Sequence, residues 1–156
     1  MIFAMTGTHE QQFDRLVKAL DNLKTDEPRI VQFGYSEYKP DNCEAYKFLE
    51  FEQVKSYMLD ADVVITHSGT GSVMLALSLG KLPIVAPRYA RLGEHVDDHQ
   101  LQLVKTLEAD GLVVPYYEGD SLEVRIQEAL KHEKSTRKIE PDPRLVADIR
   151  AIIDQS

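Results

Sequence analysis

Seven consecutive residues, Thr66-His67-Ser68-Gly69-Thr70-Gly71-Ser72, combine two glycines with four hydroxyl groups. Glycines let a ligand approach the backbone closely. A helix starting at this point would present unpaired N–H groups and the positive end of its dipole. That combination suits a phosphate or diphosphate, and Ser68, Thr70 and Ser72 add hydroxyl donors. The run is not the dinucleotide fingerprint, because Met74 stands where its third glycine would fall. It is not a P-loop either, since no Gly-Lys-Ser/Thr closes it. A tight turn with helix capping explains the same residues, so the loop taken alone does not define a site.

Three further features carry chemistry. Thr6-Gly7-Thr8-His9 is a second small-residue turn, and with the first it can enclose a diphosphate from two sides. His9, at the mouth, is placed to hydrogen-bond a phosphate or move a proton; a structural histidine is the plainer alternative. Gly93-Glu94-His95-Val96-Asp97-Asp98-His99-Gln100 packs carboxylates, imidazoles and an amide into eight residues. His95 and His99 are four apart, a spacing that can hold a metal on one helix face. Gly93 and the loop before it instead start the helix near Asp97 or Asp98, which makes Asp98 a cap or first-turn residue. Glu94, His95, Asp98, His99 and Gln100 then become candidates for hydrogen bonds to sugar hydroxyls. Arg88 is a candidate bidentate phosphate ligand, with a surface salt bridge as its alternative. Phe51, at the end of an expected strand, would border a base or pack in the core. With one cysteine, Cys43, and no nucleophile elbow, covalent catalysis is not suggested.

Alternating elements must position these groups. Ile2–Met5 reads as a strand, and Phe13, Leu16, Val17, Leu20 and Leu23 follow at helical spacing. Ile30–Phe33 is a second strand and Tyr46–Leu49 a short third. Val54, Tyr57, Met58 and Ala61 mark a helix. Asp62–Thr66 is β-branched and nearly all apolar, as expected of a parallel strand covered on both faces. A helix over Ser72–Leu79, a strand over Pro83–Ala86, a helix over Asp98–Ala109, a strand over Leu112–Val114 and a helix over Leu122–Leu130 complete the series. This is an α/β pattern with a mostly parallel sheet. Ligands of such sheets sit at the carboxyl ends of the strands, where both small-residue turns fall.

The chain has 156 residues, 43% hydrophobic and 28% charged, with a formal net charge of −8. One folded domain is expected over 1–130, then a polar linker over 131–143 and an amphipathic helix over 144–156 with Leu145, Ile149 and Ile152 on one stripe. The acidic balance disfavours nucleic acid as the partner. Lys131, Lys134, Arg137 and Lys138 form a local basic cluster, either a solvated linker or a contact with an anionic membrane or partner. No run approaches the length of a membrane span and the apolar N-terminus lacks a basic lead. The expectation is a cytoplasmic protein, held at the inner face of a membrane through a partner.

The Val63–Ser72 run, Leu79–Arg88 and Gly93–Gln100 together resemble the C-terminal domain of family 28 glycosyltransferases. The opening Thr6–Leu16 looks like the start of its small stand-alone members, bacterial exopolysaccharide and capsule glycosyltransferase subunits. These are similar to the catalytic subunit of the dolichol-linked N-acetylglucosaminyltransferase. The resemblance implies a Rossmann-like GT-B donor domain, with helices on both faces of its sheet, that binds a UDP-sugar without a metal or other cofactor. It also implies a membrane-anchored partner that receives a lipid-linked saccharide acceptor. By position, Thr6, Gly7 and Thr8 would line the diphosphate and Phe51 would lie at the uracil. His67 stands in the loop where Ser68, Gly69, Thr70 and Gly71 would surround ribose and phosphates; His99 and Gln100 would touch the donor sugar. Many relatives carry a Glu that holds the ribose hydroxyls where this chain has Leu75. The expected activity is hexosyl transfer by an inverting enzyme. The alternatives are a non-catalytic nucleotide-sugar-binding module, which Leu75 favours, and a nucleotide-sugar epimerase, which the short chain disfavours.

Overall fold

The computed structural model describes residues 1–133. Six parallel strands form one sheet in the order β3-β2-β1-β4-β5-β6. They are β1 (Ile2–Met5), β2 (Arg29–Gln32), β3 (Glu44–Tyr46), β4 (Val63–His67), β5 (Ile84–Ala86) and β6 (Val114–Pro115). Five helices connect and cover them: α1 (Asp14–Asp21), α2 (Phe51–Asp60), α3 (Thr70–Ser78), α4 (His99–Ala109) and α5 (Leu122–Glu133). A single 3-10 turn, Ala90–Leu92, lies between β5 and α4.

The pleat sorts the strand residues onto two apolar faces. Phe3, Met5, Ile30 and Val64 face α2 and α3, meeting Val54, Met58, Leu75 and Ala76. Ile2, Ala4, Val31 and Ile65 face the other way, onto Phe13, Leu16 and Leu20 of the α1 region and Leu122 and Ala129 of α5. Val85 joins Val73 of α3 and Val104 of α4. Burial on both faces is why β4, Val-Val-Ile-Thr-His, is buried at every position. The α/β, Rossmann-like architecture with helices on both faces is therefore the one expected.

Several boundaries differ from the sequence reading for local reasons. β6 begins two residues later and ends one later, because Val114 N–H donates to Pro83 O and Tyr116 N–H to Val85 O. Pro115 lies between these donors on an edge strand, where its missing N–H is tolerated. β3 ends at Tyr46, and the chain then continues to Glu50, whose N–H donates to Gln53 Oε1 at 3.0 Å as α2 begins. Phe51, expected just after a strand, thus opens α2. α5 continues to Glu133, three residues into the segment read as linker. The rest of that linker and the Leu145–Ile152 stripe lie outside the described residues. No helix among the described residues is long and apolar enough to cross a membrane.

Candidate functional site

The chain order reverses between β1 and β4, which are neighbours in the middle of the sheet. Loops leaving adjacent strands on opposite sides of such a switch point open a crevice. Here those loops are the turn after β1 and the glycine run after β4. A cavity of about 370 Å³ lies at this place. Gly7, Thr8 and His9 border it from one loop; His67, Gly69, Thr70, Gly71 and Ser72 border it from the other and from the start of α3. Gln100, in the first turn of α4, closes a third side. The floor is Met5, Gln32, Leu49, Phe51, Val54 and Leu75. The cavity therefore has a polar rim of backbone and hydroxyl groups and an apolar interior, as small-molecule sites usually do.

His67 joins the two loops. A Cβ placed on Gly7 would meet its Nε2, and a Cβ placed on Gly69 would meet its Cε1, both inside contact distance. Gly7 also has φ of +84°, a conformation other residues rarely adopt. The two glycines thus admit the imidazole ring as well as any ligand. Thr66 Oγ1 donates to Ser72 Oγ (3.0 Å) and Ser72 Oγ donates to Gly69 O (3.2 Å), while Ser72 Oγ and His67 Nε2 are 3.2 Å apart. Burial pushes the His67 pKa down to about 3, and the nearby Arg88 guanidinium acts in the same direction. The ring is neutral at physiological pH.

The loop from Arg88 to Gln100 does different work from that expected. Arg88 is 1% exposed and does not line the cavity. Its guanidinium donates to the carbonyls of Thr6, Gln11 (2.9 Å), Gln12 (3.4 Å) and Glu94 (2.8 Å), and it lies over the Phe13 ring at 4.7 Å. Burial lowers its pKa to about 10, partly opposed by Glu94, so it stays charged. Glu94 is equally buried. It accepts from Arg15 Nε (3.1 Å) and Nη2 (3.3 Å) and from Tyr89 N–H (3.1 Å). Both side chains expected at the ligand are instead an internal clamp that fastens the post-β5 loop to the turn after β1.

The remaining candidates separate in the same way. Thr6 is buried and donates through N–H and Oγ1 to Gln32 O at 3.0 and 3.2 Å. Ser68, also buried, donates to Gln100 Oε1 at 2.7 Å, tying the glycine loop to α4. Asp98 is exposed at the N-cap of α4, where its Oδ1 accepts from Ala90 N–H at 3.0 Å. The His99 N–H is instead accepted by Asp97 Oδ1 at 3.0 Å, which holds the Asp97 carboxyl below the usual range. The His99 side chain is 84% exposed and outside the cavity. His95 stacks edge-on with His9 at 4.5 Å between ring centroids, and its Nδ1 accepts from Asp97 N–H at 3.3 Å. His9 is exposed at the cavity mouth, with Nδ1 3.0 Å from Gln11 Oε1. Among the described residues no group of three or more His, Cys, Asp or Glu is placed to hold a metal ion.

The apolar floor was missed. Met5, Leu49 and Val54 have the signal of ordinary core, and only their place at the carboxyl edge of the sheet makes them a lining, beside Leu75. Gln32 had a signal, a polar residue two positions after Ile30 on an otherwise apolar strand face.

The comparisons agree with this geometry. The family model described as glycosyltransferase family 28 C-terminal domain matches residues 1–151. Among solved structures, the glycotransferase of kitacinnamycin is similar with a TM-score of 0.60 and 17% identity, covering 98% of this chain and 38% of that one. MurG from Acinetobacter baumannii is similar with a TM-score of 0.55 and 19% identity, covering 98% of this chain and 49% of that one. The chain thus spans less than half the length of both. No curated protein sequence matches it. The fold order, the crevice at the switch point and the family match over nearly the whole chain lead to one statement: this chain belongs to the glycosyltransferase family 28 C-terminal domains.

Proposed function

We propose that this chain is the donor-binding, catalytic half of an inverting glycosyltransferase that moves a hexose or hexosamine from a UDP-sugar to a lipid-linked acceptor. The observation that carries the reading is the crevice between the β1 and β4 loops, with an apolar floor beneath a rim of backbone and hydroxyl donors. The nucleoside fits the floor, beside Phe51, and the diphosphate fits the rim. The UDP-sugar is substrate, and the reading invokes no resident metal or cofactor.

The reaction follows from this placement. An acceptor hydroxyl attacks the anomeric carbon while the bond from that carbon to the diphosphate oxygen breaks. UDP leaves with the electron pair, and the hydroxyl proton passes to a base. Preorganised donors at the leaving group lower the barrier. Thr70, Gly71 and Ser72 open α3, so the positive end of its dipole faces the rim. In a trans peptide C=O and N–H point opposite ways. The Arg88 bond to Thr6 O therefore turns the Gly7 N–H away from the guanidinium and keeps it free for an anion. His9 at the mouth is the base on this chain within reach of an acceptor; a base from the partner half is the other source.

The acceptor would be presented by a membrane-anchored partner, in exopolysaccharide or capsule synthesis, with this chain at the cytoplasmic face. This chain matches 38% and 49% of the related structures, and the acceptor-binding part is assigned to that partner. Leu75, buried in the cavity floor where many relatives carry Glu, favours a second reading, a nucleotide-sugar-binding module without its own chemistry. Assaying transfer from a panel of UDP-sugars to a lipid-linked acceptor, with and without the partner, decides between them. Transfer with the partner supports the first reading. Donor binding with no transfer in either case supports the second.

A further inference from the structure

Gln32 ends β2 on the wrong face for its chemistry. The pleat puts it on the side of Ile30, and its register partner across the ladder is Met5; both belong to the apolar layer that includes Val54 and Leu75. An aliphatic side chain would continue that layer. Instead a carboxamide stands there, 2% exposed, lining the cavity, with no hydrogen-bond partner for Oε1 among the described residues. The contacts of Thr6 go to the Gln32 backbone carbonyl and leave the side chain unserved. A buried acceptor without a donor destabilises the protein that contains it. The floor around it, Met5, Leu49, Phe51, Val54 and Leu75, offers no side-chain N–H or O–H to satisfy it.

We propose that Gln32 is a nucleoside-recognition residue of this cavity, its Oε1 accepting a hydrogen bond from an N–H or O–H of the ligand. The apolar side chains cover the faces of the bound rings and Gln32 reads a polar edge between them. Two parts of a uridine diphosphate supply such a donor, the ring imide N–H and the ribose hydroxyls. With Leu75 in the floor, no carboxylate from α3 competes for either. This inference rests on the nucleotide reading of the cavity given above.

Calorimetric titration tests it with UDP, CDP, 2′-deoxy-UDP, 3′-deoxy-UDP and inorganic diphosphate against the wild type, Gln32→Leu and Gln32→Met. Thermal unfolding of each protein without ligand is measured alongside. Both variants are expected to bind UDP about tenfold more weakly and to bind inorganic diphosphate as the wild type does. Their ligand-free Tm is expected to rise by about 2–8 °C, because an unsatisfied polar group has been replaced by packing. A base contact shows as loss of the UDP-over-CDP preference; a ribose contact shows as loss of the preference over a deoxy analogue. Unchanged UDP affinity in both variants overturns the proposal. So does a lower Tm, or failure to fold, accompanied by equal loss of every ligand, which would make Gln32 structural. A wild type that binds none of the nucleotides overturns the nucleotide reading itself, whereas a wild type that binds UDP beside unaffected variants overturns Gln32 alone.

Discussion

His67 is held between Gly7 and Gly69, and its ring explains features of the site that a ligand alone would not. Gly69 has φ of −71° and ψ of 134°, a region open to any residue, so Gly69→Ala introduces contact with His67 and not backbone strain. Overpacking of this kind costs about 1–3 kcal/mol. In a His67→Ala background the same change is expected to cost less than about 1 kcal/mol, near that of an N-cap replacement. Urea unfolding of the four proteins measures the coupling, and an equal cost in both backgrounds contradicts it. The same ring makes stability depend on pH. Its folded pKa, about 3, lies below the ordinary 6.5, so between these values the unfolded chain binds a proton that the folded chain does not. Stability is full above about pH 6.5 and falls as pH drops through that window, by about 1.4 kcal/mol per unit from this residue. His67→Asn should remove one proton's worth of slope between pH 6 and 4 in urea unfolding; an unchanged slope contradicts this. The presence of glycines beside a histidine was legible in the sequence, but not which atoms a Cβ would strike. The small-residue turns therefore read as ligand approach or helix capping, and not as room for an imidazole ring.

Elements were more legible than side-chain roles. Strand–helix alternation and the buried pattern of Asp62–Thr66 lead directly to the parallel sheet, and the carboxyl-edge rule places both loops together. What periodicity lacks is the partner across a ladder, which is why the sequence places β6 before Pro115 and β3 too late. Arg88 shows the larger gap. An arginine after a strand end reads as an anion ligand, and only the folded chain reveals four backbone carbonyls converging on it. Arg88→Met should destabilise the fold by at least about 3 kcal/mol in denaturant unfolding, since several buried carbonyls lose a charged donor together. Arg88→Lys should recover little, because a single ammonium does not reproduce the planar fork. If Arg88→Met leaves stability intact and weakens only ligand binding, the clamp assignment is wrong.

At the scale of the whole molecule, six parallel strands with the reversal between β1 and β4 form a fold that matches less than half of each related structure. Under the proposed function, sugar transfer to a lipid-linked acceptor is expected only when an acceptor-binding partner is added, and turnover by this chain alone would contradict that reading. Net charge −8 is consistent with an anionic donor being captured by local dipoles and N–H groups and not by a general positive field. In the proposed function, the rim formed by the β1 loop and the start of α3 holds the diphosphate of the donor. Thr70→Glu addresses it most directly. Thr70 is exposed in the first turn of α3, where a carboxylate favours the helix but repels a diphosphate. Calorimetry should find UDP bound by the wild type and bound at least about tenfold more weakly by Thr70→Glu, with urea stability preserved or raised. Equal UDP affinity in the two proteins, or no UDP binding by the wild type, would contradict the account.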